Sequence, residues 1–144
     1  MAFDVYEDAQ PELELVLANA DNTTYYGTGV DMLGYQGVVF FACAKKGEIM
    51  TYGLKAQQDS DAAWGTVQDL NDSNVAFATA VATDGFAFLD IKNPDERYVR
   101  PALVVPNVVT PNSVAIISMR YGKSTLPETN ADGELHGHPI EGTA

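Results

Sequence analysis

Three kinds of side chain in this sequence could carry chemistry: two histidines, one cysteine and twenty Asp and Glu residues. His136 and His138 flank Gly137, with Glu134 and Glu141 close by, and two imidazoles with a carboxylate are a ligand set for zinc. A His-x-His pair on one extended segment still needs ligands from elsewhere. This pair lies among Pro, Gly, Asn, Glu and Thr residues that offer no scaffold, so solvated or interface histidines are expected. Asp59-x-Asp61 could offer oxygens to a divalent cation, but Ala62, Ala63 and Trp64 follow, nothing like a calcium loop; capping or solvated acids are expected there. Cys43 continues the apolar run Val38-Val39-Phe40-Phe41-Ala42, which predicts a buried, inert thiol. A nucleophile also needs a base, and both histidines stand in the tail, so no triad can be assembled. Twenty acids give many carboxylate pairs, so no one pair speaks for glycoside chemistry. Gly27-x-Gly29 reads as a loop, since neither a Gly-x-Gly-x-x-Gly nor a Walker sequence is present. The expectation is a protein that is not an enzyme and holds no metal or cofactor.

The elements that would position such groups follow from size and pattern. A chain of 144 residues fits one domain, large enough to fold on its own core without a disulfide or metal. Its formal charge is −12, which works against binding a phosphate backbone and favours solubility at high local concentration; nucleic acid is not an expected partner. Met1-Ala2-Phe3-Asp4 begins no signal-like segment, and no apolar run approaches the roughly 18 residues of a membrane span. No membrane association is expected, and synthesis in a host cytoplasm is.

Along the chain, residues 1–10 read as an N-terminal arm. Residues 11–121 read as one sandwich domain, and residues 122–144, where Leu126, Leu135 and Ile140 stand isolated among polar residues, as an extended C-terminal tail. Pro11 to Ala20 alternates Glu12, Leu13, Glu14 and Leu15, which predicts a strand. Gly27, Gly29 and Gly34 break up a loop bearing Tyr25, Tyr26 and Tyr35. Gly37 to Ala44 is uniformly apolar, as in a strand covered on both faces. Lys45-Lys46-Gly47-Glu48 predicts a hairpin turn into Ile49 to Ala56, and Asp84-Gly85 a hairpin between Val75–Ala82 and Phe86–Ile91. Asn93-Pro94-Asp95 predicts a third, joining Gly85–Ile91 to the strand that begins near Arg97. Trp64 is expected to close one end of the core, and Ser113 to Tyr121 to form the last strand. Roughly seven or eight strands at spacings near ten residues, with Gly- and Pro-rich links and no amphipathic helix, argue an all-β, antiparallel sandwich or barrel rather than a βαβ design; the sandwich is the expectation. Arg97, Arg100 and Arg120, the chain's arginines, read as partners for acids within the fold or across subunits.

Phe3-Asp4, Asp8-Ala9-Gln10, the strand end Gln57-Gln58-Asp59-Ser60-Asp61 before Trp64, and above all Asn93-Pro94-Asp95-Glu96-Arg97-Tyr98-Val99-Arg100 resemble the capsid decoration (cement) proteins of tailed phages. The order of elements agrees over roughly residues 3–121. Pro101 departs from the pattern by interrupting the strand, and the tail after Tyr121 has no counterpart in it. The resemblance implies a jelly-roll-like sandwich that binds the major capsid protein shell from outside, as a homo-oligomer with a trimer favoured, in the virion. The subunit or capsid contacts it suggests are Phe3, Tyr6, Tyr25, Tyr26, Tyr35, Arg97, Tyr98, Arg100, Leu126, Leu135 and Ile140. The alternative is a carbohydrate- or receptor-binding sandwich of a phage particle, using the tyrosine loop and Trp64.

Overall fold

The structure, a computed structural model, describes residues 10–20, 24–71, 73–105 and 112–122. The tail, the N-terminal arm through Ala9, and with them Phe3, Tyr6, Leu126, Leu135, Ile140 and both histidines, lie outside the described residues. Among the described residues ten strands form two antiparallel sheets: β1 (Gln10–Ala20), β2 (Thr24–Tyr26), β3 (Val30–Asp31), β4 (Gly37–Ala44), β5 (Met50–Asp59), β6 (Gln68–Asp69), β7 (Val75–Thr79), β8 (Gly85–Lys92), β9 (Tyr98–Val104) and β10 (Asn112–Tyr121). The first sheet runs β1-β10-β4-β8. In the second, β9 and β5 are central; β2 and β3 lie in line along the free edge of β9, and β6 and β7 in line along the free edge of β5. Counting each in-line pair as one broken strand gives four rows in each sheet. The chain changes sheet at almost every connection, which is the jelly-roll plan, and no helix occurs among the described residues.

The strands expected from the apolar runs are present, but the three predicted hairpins are not hairpins. Each of those turns leads from one sheet to the other: β4 to β5 through residues 45–49, β7 to β8 through 80–84, and β8 to β9 through 93–97. Every one is five residues long. Neighbouring strands lie ~4.8 Å apart and stacked sheets ~10 Å apart, so a link this long can cross the sandwich where a two-residue turn cannot. The crossings are tied to their surroundings. Gly47 N donates to Ala80 O at 3.1 Å and Lys46 N to an Asp84 carboxylate oxygen at 2.7 Å, joining the first two links. In the third, Asn93 N donates to Gln36 O at 2.7 Å, and Asp95 N and Glu96 N share the Gln58 side-chain oxygen at 3.2 and 3.3 Å. Within one sheet the chain doubles back only from β5 to β6, through residues 60–67.

The core fills from alternate positions of both inner faces: Val38, Phe40 and Ala42 on β4 and Val114 and Ile116 on β10 meet Tyr52 and Leu54 on β5 and Val99 and Leu103 on β9. Tyr52 stacks on Phe77 at 5.1 Å between ring centres. Trp64 does not belong to this core, contrary to expectation; its loop carries it over the outside of the second sheet. Tyr25 and Tyr26 stand on the short edge strand β2 rather than in a loop, and β2, β3 and β6 were too short for periodicity to reveal.

Pro101 does not interrupt its strand. It sits buried in mid-β9, where a residue without an N–H is ordinarily excluded. The neighbouring row makes room by breaking between β2 and β3: Gly27 N donates to Pro101 O at 2.9 Å, and a Cβ at Gly27 would lie 2.6 Å from the proline ring. The row containing β6 and β7 breaks similarly, and Ser73 repairs it. Its hydroxyl accepts from Ala56 N at 3.1 Å and reaches Leu70 O at 2.7 Å.

The Glu–Leu alternation of β1 predicts Leu inside and Glu outside, yet Leu13 is 60% exposed and Glu14 only 4%. The register against β10 shifts between Leu13 and Leu15, a bulge that leaves Glu14 as the extra residue and turns it inward. There it accepts from Gly29 N at 2.6 Å and from the Ser118 hydroxyl at 2.8 Å, tying the edge of one sheet to the break in the other. Burial pushes its carboxyl above the ordinary value of 4.5, and the two hydrogen bonds offset this only in part.

A raised folded value means that the stabilising contribution of Glu14 is complete below pH 4.5 and is lost as pH rises through that value. Glu14→Gln keeps an acceptor for Gly29 and a donor for Ser118. Its stability relative to the natural chain should therefore grow with pH above 4.5, as measured by urea unfolding at a series of pH values. Glu14→Leu strands Gly29 N, leaves the Ser118 hydroxyl only its 3.4 Å contact to Glu12 O, and should cost ~1–3 kcal/mol.

Candidate interaction surface

A sandwich of two sheets leaves two outer faces, and here they differ in chemistry. On the second sheet the outward positions form a continuous polar and aromatic web. Lys55 donates to Asp69 at 3.1 Å, Gln57 donates to the other Asp69 oxygen at 2.7 Å, and Arg100 Nε donates to Gln57 Oε1 at 3.0 Å. The Arg100 guanidinium lies 4.3 Å from the Tyr26 ring centre and 4.5 Å from that of Trp64, so both rings have a face against the same cation. The hydrogen bonds from Gln57 and Lys55 hold the Asp69 carboxyl below its usual range.

The loop that brings Trp64 there is built on Asp59. Burial would raise its carboxyl, but donation from Asp61 N, Thr66 N and the Thr66 hydroxyl at 2.8–3.0 Å wins and keeps it low. Asp61 in turn accepts from Ala63 N. Both acids thus serve as caps, as the sequence led one to expect. Trp64 itself has φ 57°, uncommon for a bulky residue, and its ring occupies the space where a side chain on Gly29 (φ 88°) would stand.

At one end of this face Arg97 and Asp31 form a two-pronged pair, 2.9 and 2.7 Å, which keeps Asp31 low and Arg97 high. Arg120 donates to the Asp31 carbonyl at 2.8 Å and lies over Tyr35 at 4.7 Å. Tyr98 lies half-buried beside Arg97. Of the contact candidates, Arg97, Tyr98, Arg100, Tyr26 and Tyr35 thus come together around the second sheet with partners from their own chain. Tyr25 points inward against the core.

The outer face of the first sheet escaped the sequence reading; it is apolar across β1, β10 and β4 and at Phe86 and Phe88 of β8, where Asp90 and Lys92 follow on the same side. Strand register sets Leu13, Ile117, Phe41 and Phe88 in one row, with Val16, Ala115, Cys43 and Phe86 on one side of it and Pro11, Met119, Val39 and the charged Asp90 on the other. Phe86 and Phe88 are each 59% exposed, and Phe41 packs against both, with ring centres 6.3 and 6.5 Å away. Cys43 is exposed within this block, not buried as expected, because its side chain falls on the outward phase of β4. A groove of about 660 Å³ runs beside the Ala115–Cys43–Phe86 row, with Lys45, Asp84 and Ser113 at its rim. Opposite, Asp90 accepts a hydrogen bond from the Tyr121 hydroxyl, and burial together with this bond pushes the Tyr121 phenol well up. Four strands at ~4.8 Å and five positions at ~3.4 Å give the apolar block a flat footprint of roughly 300 Å², the size at which a patch on a monomer is often functional.

No family model matches the chain, and no curated protein matches it. Among solved structures it is similar to the "PBSX exported protein XepA", at 16% identity and a TM-score of 0.58, over 92% of this chain and 44% of that one. The chain thus spans less than half of XepA, and the likeness is one of fold. A second structure, described as "CBM4 structure and function", aligns at 11% identity and a TM-score of 0.44, over 85% of this chain and 80% of that one.

Trp64, the chain's only tryptophan, reports on the Arg100 stack. Arg100→Ala should shift its emission to the red and cost roughly 1–2 kcal/mol, two cation–π contacts of ~0.5–1 kcal/mol each. Gly29→Ala should give the same spectral shift with Arg100 intact, because the new methyl group displaces the ring. Unchanged emission in both variants would refute the packing described.

Proposed function

We propose that the protein is a structural component of a phage particle, held on the outside of the head shell as an oligomer and bracing the major capsid protein, with no catalytic role. The observation that supports this most is the apolar face of the first sheet, which the described residues leave open: a soluble monomer gains nothing from such a surface, whereas a component of an assembly uses it. The resemblance of Asn93–Arg100 to decoration proteins points the same way, and that stretch forms the third sheet-to-sheet link and the start of β9. The likeness to the "PBSX exported protein XepA" is one of fold, and a sandwich fold suits a structural role of this kind. The acidic charge of −12 keeps the chain off packaged DNA and favours the shell exterior.

A second reading, a sugar- or receptor-binding module, is favoured by the two aromatic rings on the other face. Against it, Tyr26 and Trp64 each turn a ring face to Arg100, which removes area a sugar would stack on.

The test is sedimentation of purified protein with empty heads. The chain should pellet with the heads and reach saturation at a fixed number of copies per capsid protein. Protein that stays in the supernatant overturns the proposal. A glycan array that lights up with the natural chain and goes dark with Tyr26→Ala and Trp64→Ala would establish the second reading instead.

A further inference from the structure

We propose that the apolar face of the first sheet is covered by the same face of a second copy of this chain, related by a two-fold axis that runs across the strands along the Leu13–Ile117–Phe41–Phe88 row. The inference rests on reading this face as an assembly surface, and not on the head shell as the place of assembly.

The first argument comes from β4. Its sequence is apolar at every position, the pattern of a strand covered on both faces. The described residues cover Val38, Phe40, Ala42 and Ala44 and leave Val39, Phe41 and Cys43 on the open face. Phe86 and Phe88 repeat this on β8, alternating with buried Ala87 and Leu89.

The second argument is self-complementarity. A two-fold axis across the strands lays each strand antiparallel on its own copy, so positions equally far from the central row meet. Ala115 then faces Met119 and Cys43 faces Val39, small against large on β10 and β4, and the groove beside Ala115 and Cys43 receives Met119 of the second copy. On β8 the same operation sets Phe86 of one copy against Asp90 of the other, whose carboxylate accepts from the Tyr121 hydroxyl, and Asp84 against Lys92, each twice over. Apart from Asp90, which ends the Pro11–Met119–Val39 row, the apolar block carries no charge. Two sheets of the same twist also stack as the layers of a sandwich do, ~10 Å apart.

The third is size. From Lys45 to Gly37 on β4 the face is about 27 Å long and, over four strands, about 19 Å wide. That is a flat footprint on the order of 500 Å², which side-chain relief brings toward the roughly 800 Å² per partner of a standard interface. An isologous contact of this kind closes on itself as a pair.

The experiment measures mass in solution by light scattering alongside the reactivity of Cys43 toward a thiol reagent. The natural chain should have twice its 15.5 kDa, and Cys43 should react at least tenfold more slowly than in the Ile117→Glu variant, which should be a monomer. Phe88→Glu should behave alike; both sites are exposed in the protomer, and a retained Trp64 emission confirms the fold. Four results would overturn the proposal. They are a monomer with reactive Cys43, a monomer whose Cys43 becomes reactive when residues after Gly122 are deleted, a three-fold mass, or an oligomer that survives both substitutions. Head binding is measured separately, so a chain that pairs but never sediments with heads keeps this inference and loses the shell, and the reverse result does the opposite.

Discussion

A β-sheet has two faces, and two stacked sheets bury only one of each; what becomes of the other two decides the character of a sandwich protein. In this chain the two outer faces meet that constraint in opposite ways. On the second sheet, each outward side chain between Lys55 and Arg100 finds a partner on the neighbouring strand, ending in a guanidinium held against two rings. That face is complete within the chain. On the first sheet the outward positions are chiefly aliphatic and aromatic from β1 to Phe86 and Phe88 of β8, with Asp90 and Lys92 at one end, and the described residues leave them open. Inner packing does not distinguish the sheets, since both supply residues to one core, so the asymmetry lies in sequence chosen for the outside.

The polar groups that do enter the sandwich hold its irregular places. Glu14 occupies the β1 bulge and reaches the gap between β2 and β3; Ser73 fills the gap between β6 and β7; Gln58 caps the backbone of the link that follows β8. Each satisfies backbone groups that a regular ladder would have paired, and leaving such groups bare in an interior costs on the order of 1–3 kcal/mol. The break between β2 and β3 traces to Pro101, whose ring demands a glycine opposite and whose strand stays whole because the neighbour yields. A local feature of one central strand thereby sets where the edge strand stops.

The positions of the long strands were legible in the sequence because β1, β4, β5, β8, β9 and β10 are apolar runs bounded by turn chemistry. Their pairing was not. Lys-Lys-Gly-Glu, Asp-Gly and Asn-Pro-Asp mark a change of direction, but hairpins and sheet crossings use the same residues, and only the length of the link tells them apart. Period two was equally silent on phase in β1, where one extra residue exchanges the environments of Leu13 and Glu14. For β4 the signal was present and misassigned. Its unbroken apolarity was taken to bury Cys43 within the chain, when the fold buries one face and turns the other out. The Arg100 stack could not have been foreseen, since it joins Tyr26, Trp64 and Arg100 across three separate segments.

An acidic chain with an apolar face holds two tendencies in balance. Net charge of one sign opposes association of like copies, by an amount that falls with salt as the Debye length shrinks from about 10 Å at 0.1 M to about 3 Å at 1 M, while apolar burial favours association and is nearly insensitive to that screening. Where most of the charges sit outside the contact, as around this face, repulsion acts at long range and burial at contact. Encounters are then slowed without the final packing being weakened. Such a division suits a protein that must stay dispersed while it is made and then associate through one surface only. The self-satisfied face of the second sheet serves the same end, for a web of paired charges and stacked rings presents nothing to a neighbour that it has not already bound.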